Sequence, residues 1–260
     1  MSGLPKITVV TPSFNQGDFI NVTLQSVLSQ NYPNLEYIVL DGGSTDGTLD
    51  VLRRYDGKLV WRSEKDRGQS DALNKGMRMA TGEVVCFLNS DDLFEPGALL
   101  RVGQYFADHP QDSWLTGRCR TIDSKGVEIR KPITMYKNFW LCFRSYSVLL
   151  VLNYISQPAT FWRRKVLDEA GLFDESLHYA MEYDFWLRVG KKFKLNTVND
   201  YLASFRVHPA SKAGASASAQ FDAELEIAKR YTTSPFLLGA HRLHRYLVVA
   251  TYRQLLTKGR

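Results

Sequence analysis

At 260 residues, with 44% hydrophobic and 12% aromatic side chains, the chain is long enough to bury one sizeable core. Its 33 Lys and Arg against 27 Asp and Glu leave a formal charge of +6, too mild to argue for a nucleic-acid partner but compatible with an anionic ligand or an acidic membrane surface. No stretch reaches the ~20 apolar residues that span a bilayer. The three cysteines, Cys86, Cys119 and Cys142, are an odd, widely spaced set without a CxxC pair. They read as reduced, buried thiols of a cytoplasmic protein and exclude a zinc site. Met1 to Lys6 leads directly into a strand, so no signal peptide is expected.

Strand and helix patterns alternate through the first ~110 residues, the signature of βαβ units on a mainly parallel sheet. Ile7-Thr8-Val9-Val10 is a β-branched run that ends in Thr11-Pro12-Ser13-Phe14-Asn15. Ile20, Leu24, Val27 and Leu28 then recur at helical spacing until Asn31-Tyr32-Pro33 stops the helix. Leu35 to Leu40 is a second strand, released into Asp41-Gly42-Gly43-Ser44-Thr45-Asp46-Gly47-Thr48. A short helix from Leu49 to Tyr55 leads to a third strand, Lys58 to Arg62, and to Glu64-Lys65-Asp66-Arg67-Gly68. Gln69 to Ala80 is helical, Thr81-Gly82 breaks it, and the strand Glu83 to Leu88 ends in Asn89-Ser90-Asp91-Asp92.

Each of these strands releases a polar loop at its carboxyl end, and in a parallel sheet those ends share one rim. Thr11, Asp41, Asp66 and Asp91 can therefore converge on one crevice. Adjacent carboxylates such as Asp91 and Asp92 repel unless a cation or a donor-rich ligand is present; the alternative is a helix cap ahead of Glu95-Pro96. No G-x-G-x-x-G follows the first strand, which disfavours a dinucleotide site, and Thr48 stands where a P-loop needs lysine. Asp41 can accept hydrogen bonds from a base or a ribose, and Asp91 can carry a cation against a diphosphate. The pattern suggests a nucleotide read by carboxylates and held through a metal.

Four blocks, Thr11-Pro12-Ser13-Phe14-Asn15, Asp41 to Thr48, Asp66 to Gly76 and Asn89-Ser90-Asp91-Asp92, resemble those of inverting family 2 glycosyltransferases with the GT-A fold, in the family's order and spacing. The resemblance covers roughly residues 5 to 210. It implies an α/β, Rossmann-like, mainly parallel twisted sheet with flanking helices, here followed by a C-terminal helical segment. It implies that Thr11, Pro12 and Ser13 line the base and ribose, that Asp41 accepts the pyrimidine N3–H of a UDP- or dTDP-sugar, and that Asp66 and Gly68 complete the nucleoside pocket. Asn89-Ser90-Asp91 would be the DxD motif, with Ser90 beside the nucleotide, Asp91 the Mn²⁺ or Mg²⁺ ligand and Asp92 its helper. Asn89 departs from the pattern, since an amide supplies no charge.

An inverting transfer is a single displacement, so one carboxylate must deprotonate the acceptor hydroxyl. The segment Gly171 to Arg188 resembles the family's acceptor side, where the usual pair is Glu-Asp with Asp as base. Aligned on the downstream Asp-x-x-Leu-Arg, that pair becomes Met181-Glu182, which puts Glu182 in the base's place, one methylene longer than usual. The alternative for Glu182 is a helix N-terminal acid favoured by the macrodipole. Trp162, Asp184 and His208 are further candidates for acceptor or diphosphate contacts.

The expected layout is a transferase domain over 1–210, with a nucleotide half (1–110) and an acceptor half (111–210), then a loop and helices over 211–260. Lys212 to Ser218 is rich in Gly, Ala and Ser and reads as a mobile lid. Tyr136–Tyr154 and Phe236–Arg260 are apolar and basic, suited to a membrane surface at the inner face of the membrane, to core packing or to pairing of two copies. The reading is a metal-dependent glycosyltransferase that moves a sugar from a nucleotide-diphosphate donor to a glycan or lipid-linked acceptor in surface polysaccharide synthesis. A degenerate sugar-nucleotide-binding scaffold is the alternative. A nucleotidyltransferase would want a Gly-rich basic loop after the first strand, which Pro12 to Gly17 lacks.

Overall fold

The computed structural model describes residues 3–209, 211 and 217–258. The first half follows the expected alternation closely: β1 (Ile7–Ser13), α1 (Ile20–Leu28), β2 (Leu35–Asp41), α2 (Thr48–Arg53), β3 (Val60–Ser63), α3 (Gln69–Met79) and β4 (Val84–Phe87). Then come β5 (Leu93–Phe94), α4 (Ala98–Asp108), β6 (Trp114–Ile122), α5 (Lys131–Leu141), α6 (Tyr146–Leu149) and β7 (Thr160–Arg163). The chain continues through α7 (Lys165–Ala170), α8 (Met181–Gly190), β8 (Leu195–Arg206), α9 (Ala217–Tyr231) and α10 (Pro235–Lys258).

The eight strands form one sheet in the order β3-β2-β1-β4-β7-β6-β8-β5. β3, β2, β1 and β4 are mutually parallel, and β6 is parallel to β8. Only β7 and β5 run against their neighbours. The sheet is thus mixed but mainly parallel, and the carboxyl ends of β1 to β4 open on one rim, as βαβ crossovers of one hand require.

Successive residues of the central strands go to opposite faces. Val10, Ile38 and Leu40 pack with Leu73 and Met77 of α3 and with α8. Ile7, Val9 and Val39 pack with Leu24 and Val27 of α1, Leu52 of α2 and Leu99 of α4. Helices therefore cover both sides, which is why β1 is buried along its whole length. Gly76 lets α3 sit close on β1, because a Cβ there would stand 2.4 Å from Val10 Cγ1. Overpacking of that kind costs roughly 1–3 kcal/mol.

α9 and α10 are fastened to the sheet-bearing part of the chain. The Tyr231 hydroxyl donates to Asp184 Oδ1 at 2.6 Å, and His241 Nδ1 lies 2.8 Å from the Leu150 carbonyl. The lid expectation falls mostly on residues 212–216, which lie outside the described residues; 217 and 218 open α9. Among the described residues no helix is long and apolar enough to cross a membrane. Cys86 and Cys119 are buried as expected, but Cys142 is exposed, because it follows the last turn of α5 on the surface.

Candidate active site

One side of the rim is a hydrogen-bonded lattice between the loops after β1 and β2. Asn15 N donates to Ser44 Oγ, Thr45 N to Asn15 Oδ1, Gln16 N to Thr48 Oγ1 and Gly17 N to Asp46 Oδ2, all within 2.9 Å. Asp41, 2% exposed, accepts from the Gly43 and Ser44 amides and from the Ser44 and Ser63 hydroxyls. Three of these donors converge on Oδ2, and Ser44 alone reaches Oδ1 at 2.5 Å, so Oδ1 keeps acceptor capacity. Asp66 holds the Gly68 amide at 2.8 Å and approaches Gly42 so closely that a Cβ there would lie 2.6 Å from Asp66 Oδ2. Carboxylates from two successive strand ends thus meet across one glycine.

Of the first-strand residues, Ser13 fits a ligand contact best. Its Oγ is buried and has no hydrogen-bond partner among the described residues, a state that buried hydroxyls rarely tolerate without something to pair with. Pro12 is buried beside it. Thr11 corrects the expectation: its hydroxyl pairs with the Tyr37 hydroxyl at 3.1 Å inside the sheet, which leaves only its backbone to line a pocket.

The paired acids after β4 have separate surroundings. Asp91 Oδ2 lies 3.1 Å from His208 Nε2, with the Asp91 side chain 16% exposed. The His208 ring rests on Phe19, with centroids 4.5 Å apart, and Arg206 Nε donates to the Asp91 carbonyl. Asp92 is fully buried: Oδ1 accepts the Arg206 amide at 2.8 Å and Oδ2 accepts Asn89 Nδ2 at 3.2 Å. Burial and the neighbouring Asp91 charge push the Asp92 carboxyl well above the usual carboxylate range. Both expectations for Asp92 are therefore corrected. It faces inward rather than toward a cation, and it caps no helix, since α4 starts after Gly97. Asn89 links Gln69 Nε2, Asp92 and Gln157, so this amide ties strand and helix together. Ser90, 4% exposed, offers its carbonyl to Thr23 Oγ1.

The donor set suits a divalent cation. Two ligands in adjacent octahedral positions at about 2.1 Å from one ion stand about 3.0 Å apart. The Asp91–His208 separation of 3.1 Å is close to that. Among the described residues no cluster of three His, Cys, Asp or Glu could hold an ion, so the rest of a coordination shell would come from ligand oxygens or water.

Glu182 sits in the first turn of α8 and is half-buried. Its predecessor Met181 points into the core, where Ser70 Oγ approaches the thioether at 2.7 Å. That contact sets the start of α8 against the start of α3, and the adjoining Gln69 reaches Asn89 at 2.7 Å. The ends of β4, α3 and α8 thus meet at one place. Asp184, by contrast, is 3% exposed and bound to Arg188 at 2.9 Å and to Tyr231. Arg188 continues to the carbonyls of Ala170 and Leu172. Asp184 is a brace, not a substrate contact. Trp162 is likewise corrected: it is wholly buried against Phe87, Phe185 and Trp186 and offers no face to an acceptor.

Three polar residues were given no role by the sequence reading. Glu224 of α9, 3% exposed, accepts from Asn153 Nδ2 at 3.3 Å and interacts electrostatically with both Glu182 and Lys137. Burial above all, with some help from the Glu182 charge, pushes its carboxyl up to about 7. Burial pulls Lys137 of α5 below the usual lysine value. Asn74 clamps α3 to the backbone of Phe173 on both its N–H and C=O and also donates to Glu175. An acidic residue inside a helix of ordinary pattern gives no signal of that burial.

A mainly parallel sheet with polar loops at the carboxyl ends of its first four strands, a facing Asp91–His208 pair and a carboxylate at an adjoining helix start fits the GT-A fold. The chain belongs to glycosyl transferase family 2, whose family model matches residues 8–171. It is 28% identical over 239 residues to an uncharacterized glycosyltransferase of Nostoc sp., covering 84% of this chain and 70% of that one. Across three such relatives it spans 65 to 70% of their length. Among solved structures it is similar in fold to residues 1–349 of S. aureus TarS in complex with UDP-GlcNAc, with a TM-score of 0.70 and 19% identity over 94% of this chain and 73% of that one. It is also similar to the mannosyltransferase PcManGT of Pyrobaculum calidifontis in complex with GDP-Man and Mn²⁺, with a TM-score of 0.69 and 23% identity over 94% and 71%.

Proposed function

We propose that this chain transfers a sugar, with inversion, from a UDP-sugar to a hydroxyl of a glycan or lipid-linked acceptor in the assembly of a surface polysaccharide. The observation that supports the reading is the meeting of three element ends, where Asn89–Gln69 and Ser70–Met181 join the segments that carry Asp91 and Glu182. Ser13 and Asp41 would receive the nucleoside, the first with an unsatisfied hydroxyl and the second with an acceptor oxygen for the base N–H. Asp91 and His208 would hold Mn²⁺ or Mg²⁺, which when bound would neutralise the diphosphate and ease its departure.

Glu182 would accept the proton of the incoming hydroxyl as that oxygen attacks the anomeric carbon. Its carboxylate is long enough to stand where the family's aspartate stands, and Met181 anchors the backbone beneath it. Asp92 orients the site indirectly: it grips the Arg206 amide, two residues from His208, and so sets the reach of the histidine toward Asp91.

The test is release of UDP from UDP-hexose or UDP-N-acetylhexosamine donors with Mn²⁺ present, alongside calorimetric titration of UDP, dTDP and GDP. Donor turnover with tightest binding of UDP supports the reading. Nucleotide-sugar binding without turnover on any acceptor mixture favours the scaffold alternative, and preferential GDP binding overturns the role given to Asp41.

A further inference from the structure

We infer that α5 and α10 together form a docking face for an anionic phospholipid surface. The argument begins with the charge distribution. Residues 129–167 and 227–260 hold 14 of the chain's 33 Lys and Arg and none of its 27 Asp and Glu. The remaining 187 residues carry every acid and are net negative. These two distant stretches contain α5 and α10, and the fold brings them side by side: the Tyr136 and His244 rings stack at 6.1 Å and 10°.

The same two helices display most of the large apolar side chains that the fold leaves in solvent. Met135 is 71% exposed and Phe139 57%, with Phe143 at 55% in the turn that follows α5. On α10, Leu243 is 61% and Tyr246 68% exposed. Met135 and Leu243 each precede a stacked ring by one position, so the exposed groups flank the seam between the helices. Phe139, Trp140 and Phe143 pack edge-on or tilted at 5.2 to 5.6 Å, a compact aromatic surface rather than scattered residues. Exposed Lys131, Arg144 and Arg242 border it.

Contiguous exposed apolar surface marks an interaction site, and aromatic groups with a cationic border match the headgroup–acyl boundary of a bilayer. The excess of exposed bases decides the occupant, with Asp222 and Glu128 pairing Arg245 and Lys131 at its edge. A second copy would set Lys131, Arg144 and Arg242 against the same three bases, whereas an anionic leaflet complements them and attracts each base that comes near it. α5 also carries Lys137 on its inner side, toward Glu182 and Glu224. The docking face and the proposed base are therefore separated by one helix, and a hydroxyl carried on a lipid would meet Glu182 close to the membrane. That last step rests on the transferase reading; the docking does not.

The experiment is flotation of the 260-residue chain with vesicles of phosphatidylglycerol and phosphatidylcholine, with pure phosphatidylcholine vesicles as comparison, across a salt series. The expected result is partition onto the anionic vesicles only, weakening as salt rises. Phe139→Glu with Phe143→Glu should reduce the partition coefficient strongly. Arg144→Glu with Arg242→Glu, a pair of exposed positions outside the buried core, should reduce it about tenfold or more. Both double variants should keep the parent melting temperature and UDP affinity. No flotation with anionic vesicles at low salt overturns the proposal. So does a dimer in sedimentation analysis that the same substitutions dissociate, since the face then belongs to a second copy. Because neither readout measures sugar transfer, failure of docking and failure of the transferase reading are distinguishable.

Discussion

His208 Nε2 stands 3.1 Å from Asp91 Oδ2 although 117 positions separate the two in sequence. The contact closes the carboxyl-end rim: β4 delivers the aspartate, and the segment after β8 returns across Phe19 to deliver the imidazole. Arg206 fixes the approach from below by binding the Asp91 carbonyl through its side chain and Asp92 through its amide.

The two acids of the pair should respond differently to substitution. Asp91→Asn should abolish the Mn²⁺-dependent increase in UDP affinity with little change in melting temperature. Asp92→Asn should instead destabilise the fold by roughly 1–3 kcal/mol, because an amide cannot serve both the Arg206 N–H and the Asn89 NH₂ as acceptors. Calorimetric titration with and without Mn²⁺, together with thermal unfolding of both variants, measures the contrast. Equal loss of metal response in both, with equal stability, would count against the division.

Glu182 and Asp184 should separate in the same manner. Glu182→Gln is expected to slow transfer by about 10²–10⁴-fold or more while UDP-sugar binding persists. Asp184→Ala should lower stability by about 3 kcal/mol or more, because Arg188 and Tyr231 lose their common acceptor. Steady-state UDP release and chemical denaturation of the two variants distinguish a proton acceptor from a brace. Near-normal turnover in Glu182→Gln would remove the base from Glu182.

Gly42→Ala tests the nucleoside pocket. The added methyl overlaps Asp66 Oδ2, so the carboxylate must swing away from the Gly68 amide it now holds. UDP affinity should fall at least tenfold, a loss of about 1.4 kcal/mol, while the buried sheet core is untouched. Calorimetric titration of UDP on the variant reads this directly, and unchanged affinity would exclude Asp66 from the pocket.

Glu224 gives the fold a pH dependence with a definite sign. Its carboxyl is raised from 4.5 to about 7, so the folded chain binds its proton more tightly than the unfolded chain does. The resulting cost is absent below the unfolded value, grows as pH rises through this window and is complete above about 7. Its full size is on the order of 3 kcal/mol. Glu182 and Lys137 are the charged groups facing it, and Tyr183 lies within its electrostatic reach. Thermal unfolding should therefore weaken from slightly acid to slightly alkaline pH in the parent, and Glu224→Gln should flatten that part of the profile.

The first four strands were readable because strand ends in a parallel sheet fall on one rim whatever the details, so the loops carrying Asp41, Asp66 and Asp91 could be grouped from order alone. β8 was not, because it carries Asn196, Asn199 and Asp200 among its apolar residues. Its pairing with β6 also shifts register between Thr116 and Arg118, which breaks the alternation that marks a strand. Trp162 was misread for a related reason: a strand aromatic looks the same in sequence whether its neighbours leave it open or enclose it. Asp92 and Glu224 show the limit for acids. Their burial depends on Arg206 and Asn153, partners more than 70 positions away that no local pattern announces.

The fastening of α9 to α8 bears on how enzymes of this design diversify. Tyr231 braces the helix whose first turn holds Glu182, and Glu224 reaches back to Asn153, so the terminal helices are tied to the part of the chain that carries Glu182. They are not an interchangeable cassette. A chimera that borrowed them from a relative to change acceptor preference would have to bring matching residues at 153 and 184 as well, or it would leave one buried acid in each half without its partner.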